Sequence, residues 1–323
     1  MTDDTSKWDA SVSYRWFKSH RHFVGVTEQF QRAAAGDEVI NRSNFVDVGL
    51  NYNFNPRYRV DVTIPFVSHD RSQVVKNASG VILERFSTQA TGLADINVVA
   101  NGWVIDPAKM PKGNLQLGLG LSLPTGNDNV QDVFETFDKT TNKIVASKHA
   151  VDQSIQPGSG GYGIVFAFYG YRILGGGFTG FVNGSYTAAP QDKNGVQTAR
   201  SSVYEAIESI PDTYLGRIGA EYAVPTIKGL SASLGMRVEG VMVRDIIGSS
   251  NGFRRPGYSV AVEPGLGYSH GRWSTRLYVP VSVRRDRQQS VPDKQRSAAT
   301  GVFSAGDAAF ADFEIICSAS YRF

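Results

Sequence analysis

Few residues in this 323-residue sequence have the types and spacing that metal or phosphate chemistry requires. His20 and His22 can share a metal ion, but two histidines in a polar stretch are a weak ligand set. Residues 158–163 are rich in glycine but lack the Lys and the Ser/Thr of a phosphate-binding loop. Residues 128–138 are acidic enough to attract Ca²⁺, yet they lack the glycine that an EF-hand loop needs. We therefore predict solvated loops at the histidine pair and the acidic segment, a loop-to-strand hinge at residues 158–163, and no metal or cofactor.

The histidines also argue against catalysis. All five, at positions 20, 22, 69, 149 and 270, fall outside the predicted strands, and no His-Glu-x-x-His pair occurs. Outer-membrane hydrolases place a Ser and a His together on the lipid-facing side of their strands, and no predicted strand here offers that pair. We therefore predict that the protein is not an enzyme and has no catalytic residue. A lipid-face hydrolase is the weaker alternative.

Charged residues that alternate with apolar ones carry the most informative chemistry. Rings of fixed charge inside a membrane channel select solutes by the sign of their charge. Two interpretations remain open, because the same side chains either line an open channel or pair across strands and fill a narrow interior. The candidate pore-lining residues are Arg15, Asp47, Arg57, Arg59, Asp61, Asp95, Arg217, Glu221, Arg237, Glu239, Glu263, Arg276, Arg284 and Glu314.

The elements that position these charges are clearest at the end of the chain. A period of two, with apolar residues at every second position, indicates a β-strand with one apolar face. The apolar positions here are Phe313, Ile315, Cys317, Ala319, Tyr321 and Phe323. This ending resembles the C-terminal signature of bacterial outer-membrane β-barrels, through which the outer-membrane insertion machinery recognises its substrates. An edge strand of a soluble domain is the alternative.

Eleven further segments have the same period of two. Long polar connections alternate with short turns along the chain, as expected when extracellular loops are long and periplasmic turns are short. The sequence thus predicts an all-β fold, a single 12-stranded antiparallel transmembrane β-barrel spanning residues 1–323. The predicted strands are residues 8–17, 46–54, 58–66, 96–104, 115–123, 162–171, 178–187, 214–222, 230–238, 258–268, 273–283 and 313–323. The sixth strand is apolar on both faces, so its two sides stay unassigned.

Aromatic residues cluster where the two membrane interfaces are expected. Eight residues separate Trp8 from Trp16, which is roughly 20 Å of height for a strand tilted by about 40°. The apolar band of such barrels has about this height, near 25 Å. The predicted aromatic girdle comprises Trp8, Trp16, Tyr52, Tyr58, Phe66, Tyr214, Tyr222, Tyr258, Tyr268, Trp273, Tyr321 and Phe323.

Composition agrees with a barrel and argues against other classes. The charged fraction is 20%, and no apolar run approaches the roughly 18 residues of a transmembrane helix. A net charge of +3 is too small to indicate a nucleic-acid-binding protein. We expect the sequence to be a mature chain without a signal peptide, located in the outer membrane of a Gram-negative bacterium. The expected partners are membrane lipid, lipopolysaccharide and the insertion machinery, with no nucleic acid.

Four short segments resemble one family of outer-membrane proteins. They are residues 92–96, 117–126, 264–268 and 278–281, and they look like the family named MetA-pathway of phenol degradation. The likeness extends from about the second strand to the C-terminus, and Ala94 stands where the family often has glycine. The resemblance implies a porin-like channel for small, aromatic or hydrophobic solutes, but it assigns no substrate site to particular residues. A closed structural or adhesive barrel that binds partners through its loops is the alternative.

The longest connection, residues 125–159, carries more apolar groups than an extracellular loop needs. We predict that part of it folds over the mouth, where Phe134 and Phe137 act as a gate. Arginines below this gate are expected to attract a carboxylate or phenolate group. The alternative is an outward loop that packs on its neighbours or on lipopolysaccharide. Deletion of residues 129–148 should raise conductance if the loop is the gate.

Overall fold

The strands form a closed antiparallel barrel in the computed structural model, which describes residues 7–198, 200 and 202–323. Each barrel strand pairs with the next one along the chain, and the last strand returns to the first, with Arg322 opposite Asp9. The predicted 12-stranded barrel is confirmed for this part of the chain. The strands are β1 (Trp8–Val24), β2 (Ile40–Asn53), β3 (Tyr58–Lys76), β4 (Ile96–Trp103), β5 (Gly113–Leu123), β6 (Gly163–Gly175), β7 (Phe178–Ala188), β8 (Thr213–Ala223), β9 (Leu230–Val241), β10 (Gly257–His270), β11 (Trp273–Tyr278, continued as Val281–Arg287) and β12 (Ala308–Arg322).

The apolar side chains of the strands point outward. On β5, Leu117, Leu119 and Leu121 are 52%, 58% and 49% exposed, and the alternate positions carry glycine and serine on the inner face. A soluble barrel would bury this apolar face in its interior. A barrel surrounded by hydrocarbon has the reverse arrangement, because lipid is the apolar phase and the lumen is polar. The transmembrane interpretation of the alternation is therefore confirmed.

The pairing of β6 assigns the faces that the sequence left open. Phe166 pairs with Leu119 and Phe168 pairs with Leu117, so both phenylalanines face lipid. Tyr169 and Tyr171 consequently face inward, and the ring centroid of Trp103 lies 6.0 and 5.7 Å from theirs. This strand is apolar on both faces because part of the lumen is aromatic.

The wall is irregular between β11 and β12. Proline has no N–H to donate to the strand ladder, and β11 is interrupted at Pro280. The part of β11 that follows, Val281–Arg287, pairs with β12 only through Val281 and Phe313. The Arg285 side chain spans the remaining gap, donating to the Ala311 carbonyl at 3.0 Å and to Asp312 at 3.0 Å. A side chain thus supplies here the hydrogen bonds that the backbone ladder lacks.

A β-bulge in β11 corrects one predicted pore-lining residue. Val260 of β10, on the lipid-facing side, pairs with Arg284, whereas inward Ser259 pairs with Arg285. Arg284 is therefore exposed on the outer face, and the buried Arg285 takes the inward position. Simple alternation was wrong at Arg284, because a bulge adds a residue that sequence periodicity does not reveal.

The long connections build a cap at one end of the barrel, and the short turns and chain ends lie at the other. The cap contains the strand Ile82–Leu93, which pairs with the upper half of β3, the hairpin of Gln131–Asp138 with Lys143–Ala150, and the strand pair Lys193–Gln197 with Ile207–Ser209. Two helices, α1 (Phe30–Ala35) and α2 (Val291–Thr300), complete it. Within the described ranges, no helix combines the length and apolarity that crossing a membrane requires.

Candidate functional site: a partitioned barrel lumen

A hydrogen-bonded arginine crosses the middle of the lumen. Arg15 on β1 donates from Nε and Nη2 to both carboxylate oxygens of Glu314 on the neighbouring β12, at 2.8 and 3.0 Å. The same Nη2 donates to Oε1 of Glu239 at 2.9 Å. Because Glu239 lies on β9, which does not adjoin β1, this contact bridges the barrel interior.

Further ion pairs extend this layer around the inner wall. Arg237 contacts Glu239 at 2.8 Å, and Arg217 of β8 donates from Nε to Glu263 of β10 at 2.7 Å. Arg276 of β11 reaches Glu221 of β8 at 3.2 Å. Pairing across strands, one of the two alternatives left open by the sequence, therefore describes these charged residues. We call this set the charge layer. Its members are Arg15, Arg217, Glu221, Arg237, Glu239, Glu263, Arg276 and Glu314.

Aromatic rings fill the space beside the charge layer. The Arg217 guanidinium lies 4.5 Å from the ring centroid of Tyr278 and 5.7 Å from that of Phe181. Glycines make room for these rings, since a Cβ added at Gly219 would lie 2.7 Å from Cζ of Phe181. Cation–π contacts of this kind hold a charged group against an aromatic face. As far as the described residues show, the partition between the two ends of the lumen thus consists of charged and aromatic side chains.

The other predicted pore-lining residues occupy several levels. Asp47 accepts from Ser13 at 3.2 Å, and Asp61 accepts from Asn101 at 2.9 Å beside Arg59 at 3.0 Å. Arg57 lies at the periplasmic mouth, where it donates to the carbonyls of Trp103 and Val104. These residues line the lower half of the lumen or its exit.

Asp95 has a different environment from the other candidates. Its carboxylate accepts from the backbone N–H groups of Gly126 and Ser159, at 3.0 and 2.8 Å. It therefore ties together the two ends of the longest loop. A Cβ added at Gly158 would lie 2.3 Å from the Gly126 carbonyl oxygen, so the two chain segments cross where only glycine fits. Asp95 lines a smaller cavity of about 380 Å³ in the cap.

A large cavity opens on each side of the partition. The lower vestibule, at the periplasmic end, has a volume of about 670 Å³ and is lined by Lys7, Asp9, Arg57, Arg59, Trp103, Gln116 and Arg322 among others. The upper vestibule, beneath the cap, has a volume of about 580 Å³. Both volumes fall within the roughly 300–1,000 Å³ typical of small-molecule sites. The charged residues lining the upper vestibule are Arg15, His22, Arg32, Arg71, Arg200, Glu239, Arg255, Asp307 and Glu314.

Arginines of the cap are the functional residues that sequence reasoning missed. Arg255 donates to both Asp152 oxygens at 2.6 Å, and Arg71 lies 3.4 Å from the same carboxylate. Although burial raises the pKa of Asp152, the two guanidiniums outweigh it and hold that pKa well below its usual range. Burial lowers the pKa of Arg71 to about 10, so Arg71 remains charged at neutral pH. Arg71 lies on the upper part of β3, beyond the predicted strand, and Arg200 and Arg255 lie in loops, so no sequence pattern brings the three together.

Another pattern that sequence reasoning overlooked is the Gly-x-Ser-x-Gly arrangement of residues 248–252. In a hydrolase, this pattern places an exposed serine on a sharp strand-to-helix turn. Ser250 instead lies in the connection between β9 and β10 and is 2% exposed. Its Oγ accepts from the Asp245 backbone N–H at 2.7 Å. The surroundings of Ser250 are those of a loop-stabilising residue.

The predicted gate residues lie in the hairpin of the longest loop. The Phe134 ring packs against Phe86 of the neighbouring loop and against His149, with centroid distances of 6.0 and 5.8 Å. Neither Phe134 nor Phe137 lines the upper vestibule, to which this loop contributes Ser154. These contacts are those of a loop packed on its neighbours, while a gating role for the hairpin stays a prediction.

The predicted aromatic girdle forms contacting pairs near the periplasmic turns. Ring centroids are 4.8 Å apart for Trp8 and Tyr52 and 4.8 Å apart for Trp273 and Tyr321. The terminal Phe323 follows at 5.1 Å from Tyr321. The remaining candidates are half-buried or exposed, and their place in a girdle stays a prediction; they are Trp16, Tyr58, Phe66, Tyr214, Tyr222, Tyr258 and Tyr268.

An apolar outer face, a polar lumen and loops gathered at one end define the class of the protein as an outer-membrane β-barrel. No family model matches the sequence, and no curated protein matches it. An outer-membrane channel from Pseudomonas putida F1 is structurally similar, with a TM-score of 0.62 at 10% identity, over 98% of this chain and 96% of that chain. The P. putida toluene transporter TodX has a TM-score of 0.51 at 7% identity, over 98% and 90% of the two chains.

The β domain of the Bordetella autotransporter BrkA is equally similar. Its TM-score is 0.51 at 11% identity, over 98% of this chain and all 100% of that one. At such identities the likeness shows the fold alone, and it does not separate a solute channel from an autotransporter domain. The predicted outer-membrane β-barrel, and with it the predicted location in the bacterial outer membrane, is confirmed.

Proposed function

We propose that the protein is an outer-membrane channel through which small solutes diffuse passively. The observation that carries this proposal is the pair of vestibules at opposite ends of one lumen, which in the described part of the chain are divided by side chains. A partition made of side chains can open through changes of rotamer, without unfolding of the barrel backbone. The known channels with the same fold support this interpretation.

The charge layer and the upper vestibule have different roles in the proposed channel. Each charge of the layer already has a partner of opposite sign, so the layer presents little net field to a solute. The upper vestibule is lined by five arginines but only three carboxylates, Glu239, Asp307 and Glu314. A cleft lined by an excess of one sign concentrates solutes of the other sign. We therefore assign selection by charge to the upper vestibule and restriction by size to the layer.

Conductance in planar bilayers tests this proposal. The purified barrel should give small, discrete current steps with a preference for anions, and liposomes that contain it should take up small solutes. A protein that shows neither conductance nor uptake would instead be a closed barrel acting through its loops. Ester hydrolysis that persists through purification would favour the lipid-face hydrolase. Recognition by the insertion machinery through β12 stays a prediction.

A further inference from the structure

We propose that the upper vestibule contains a carboxylate-binding site formed by Arg71, Arg200 and Arg255, and that small aromatic carboxylates are the solutes of this channel. The assignment as transported solutes rests on the proposed channel function. The binding site itself does not, because it follows from the chemistry of the cavity.

Two guanidinium groups contact a single carboxylate in this part of the cap, and a third, that of Arg200, shares the Phe253 ring with one of them. Arg255 donates to both oxygens of Asp152 as a bidentate pair, which is the strongest geometry that an arginine and a carboxylate can adopt. Arg71 lies 3.4 Å from the same carboxylate, farther than the 2.6 Å of Arg255. The charge of one carboxylate is thus shared among positive groups that repel one another. A second anion would relieve this repulsion.

Arg71 has hydrogen-bond partners but no carboxylate of its own. It is 9% exposed, and its Nη1 donates to the neutral oxygens of Asn41 and Ser154, at 3.1 and 3.4 Å. A buried guanidinium usually pairs with a carboxylate, because an uncompensated charge is costly to remove from water. Arg71 lines the cavity and is therefore placed to contact an incoming anion.

Arg200 is held close to this group by an aromatic ring. Its Cζ atom lies 4.0 Å from the ring centroid of Phe253, and Cζ of Arg255 lies 4.7 Å from the same centroid. The nearest carboxylate, Glu205, is 3.8 Å away, and the Arg200 side chain is 38% exposed. Cation–π contacts hold both cations against the Phe253 ring without using their N–H donors; those of Arg255 bind Asp152.

The neighbouring carboxyl group of Glu208 does not neutralise the cluster. Glu208 lines the adjoining cavity together with Arg255. Burial raises the pKa of Glu208 to about 8, and the nearby charge of Asp152 acts in the same direction. At neutral pH most of this carboxyl group is therefore protonated, so the excess of positive charge in the cluster persists.

The rest of the upper vestibule is suited to an aromatic ring. Phe17 and Phe310 line it, and each is fixed by a second ring, Phe45 at 5.7 Å and Phe23 at 5.7 Å. Small alanines at positions 308, 309 and 311 leave space beside them. A ligand with one carboxylate and one ring can therefore satisfy the arginines and the apolar wall of the same cavity. A carboxylate without a ring would contact only the arginines and not the apolar wall.

Isothermal titration of the whole protein in detergent tests the site without requiring transport. Benzoate is the probe, benzamide is its neutral isostere and acetate is the carboxylate without a ring. We expect benzoate to bind at least tenfold more tightly than either control. The R71Q and R200Q variants should each weaken benzoate binding by about tenfold to a hundredfold, the range for a lost hydrogen bond to a charged group.

R272Q is the matched control, since Arg272 is exposed on the periplasmic turn between β10 and β11. It should bind benzoate like the parent protein. Heat-modifiable migration on a gel verifies that each variant is folded. R200Q alters an exposed loop side chain with one long ion contact, so it keeps the test informative if R71Q does not fold.

Equal binding of benzoate and benzamide, or unchanged benzoate binding by folded R71Q and R200Q, would overturn the carboxylate site. Acetate binding as tight as that of benzoate would overturn the aromatic part. Benzoate binding without bilayer conductance would contradict the channel and leave the site intact. Conductance without benzoate binding would contradict the carboxylate site and leave the channel function intact.

Discussion

Replacing Arg15 by alanine should open the partition of the lumen. The substitution removes the only side chain of the charge layer that joins β1 and β12 to β9, and it leaves Glu239 and Glu314 facing each other. Removing one partner of a buried ion pair costs about 3–5 kcal/mol. The Arg15 side chain is 28% exposed to the water-filled lumen, so we expect a loss near the lower limit, about 3 kcal/mol.

Two measurements follow from this change. The free energy of unfolding in urea should fall by about 3 kcal/mol, and the single-channel conductance should rise because the bridge across the lumen is gone. The reversal potential in a salt gradient should shift towards cations, since Glu314 loses its arginine partner and Glu239 keeps Arg237 alone. R15K is the matched control, because it keeps the charge while losing the planar fork, and it should retain most of the parent selectivity.

The reasoning would be refuted by an R15A protein that is folded and has the conductance and reversal potential of the parent. The charge layer would then not be the barrier to ions. A rise in conductance in R15K equal to that in R15A would show that the fork, not the charge, closes the lumen.

Three further predictions concern the wall and the cap. R285A removes the side-chain hydrogen bonds that close the gap between β11 and β12. It should lower the temperature at which the folded band on a gel converts to the unfolded band, whereas R284A, on the outer face, should not. The folded state binds the Glu208 proton more tightly than the unfolded chain does, so cap stability should fall as pH rises from about 4.5 to about 8. Limited proteolysis should detect this dependence, and E208Q should abolish it. F134A should loosen the hairpin from Phe86 and increase its proteolysis at unchanged conductance; increased conductance would support the gate.

The site was only partly predictable from the sequence. Alternation placed Arg15, Glu239 and Glu314 on inner faces correctly, because side chains of a strand point to opposite sides at every step. It failed at Arg284, where a bulge resets the alternation. It did not reveal that Arg15 bonds across the lumen to Glu239, 224 residues further along the chain. A residue's face is a local property, while its partner depends on how the barrel closes.

The sequence by itself determined the strand number, the alternation of long and short connections and the lipid-facing side of most strands. These follow from constraints that act within each segment, since a bilayer requires about ten alternating residues per strand and a closed set of hydrogen bonds. The tertiary structure alone decided the inward faces of Tyr169 and Tyr171, the pairing within the charge layer and the meeting of Arg71, Arg200 and Arg255. These depend on contacts between segments far apart in the chain, and lipid imposes no pattern on the residues that make them.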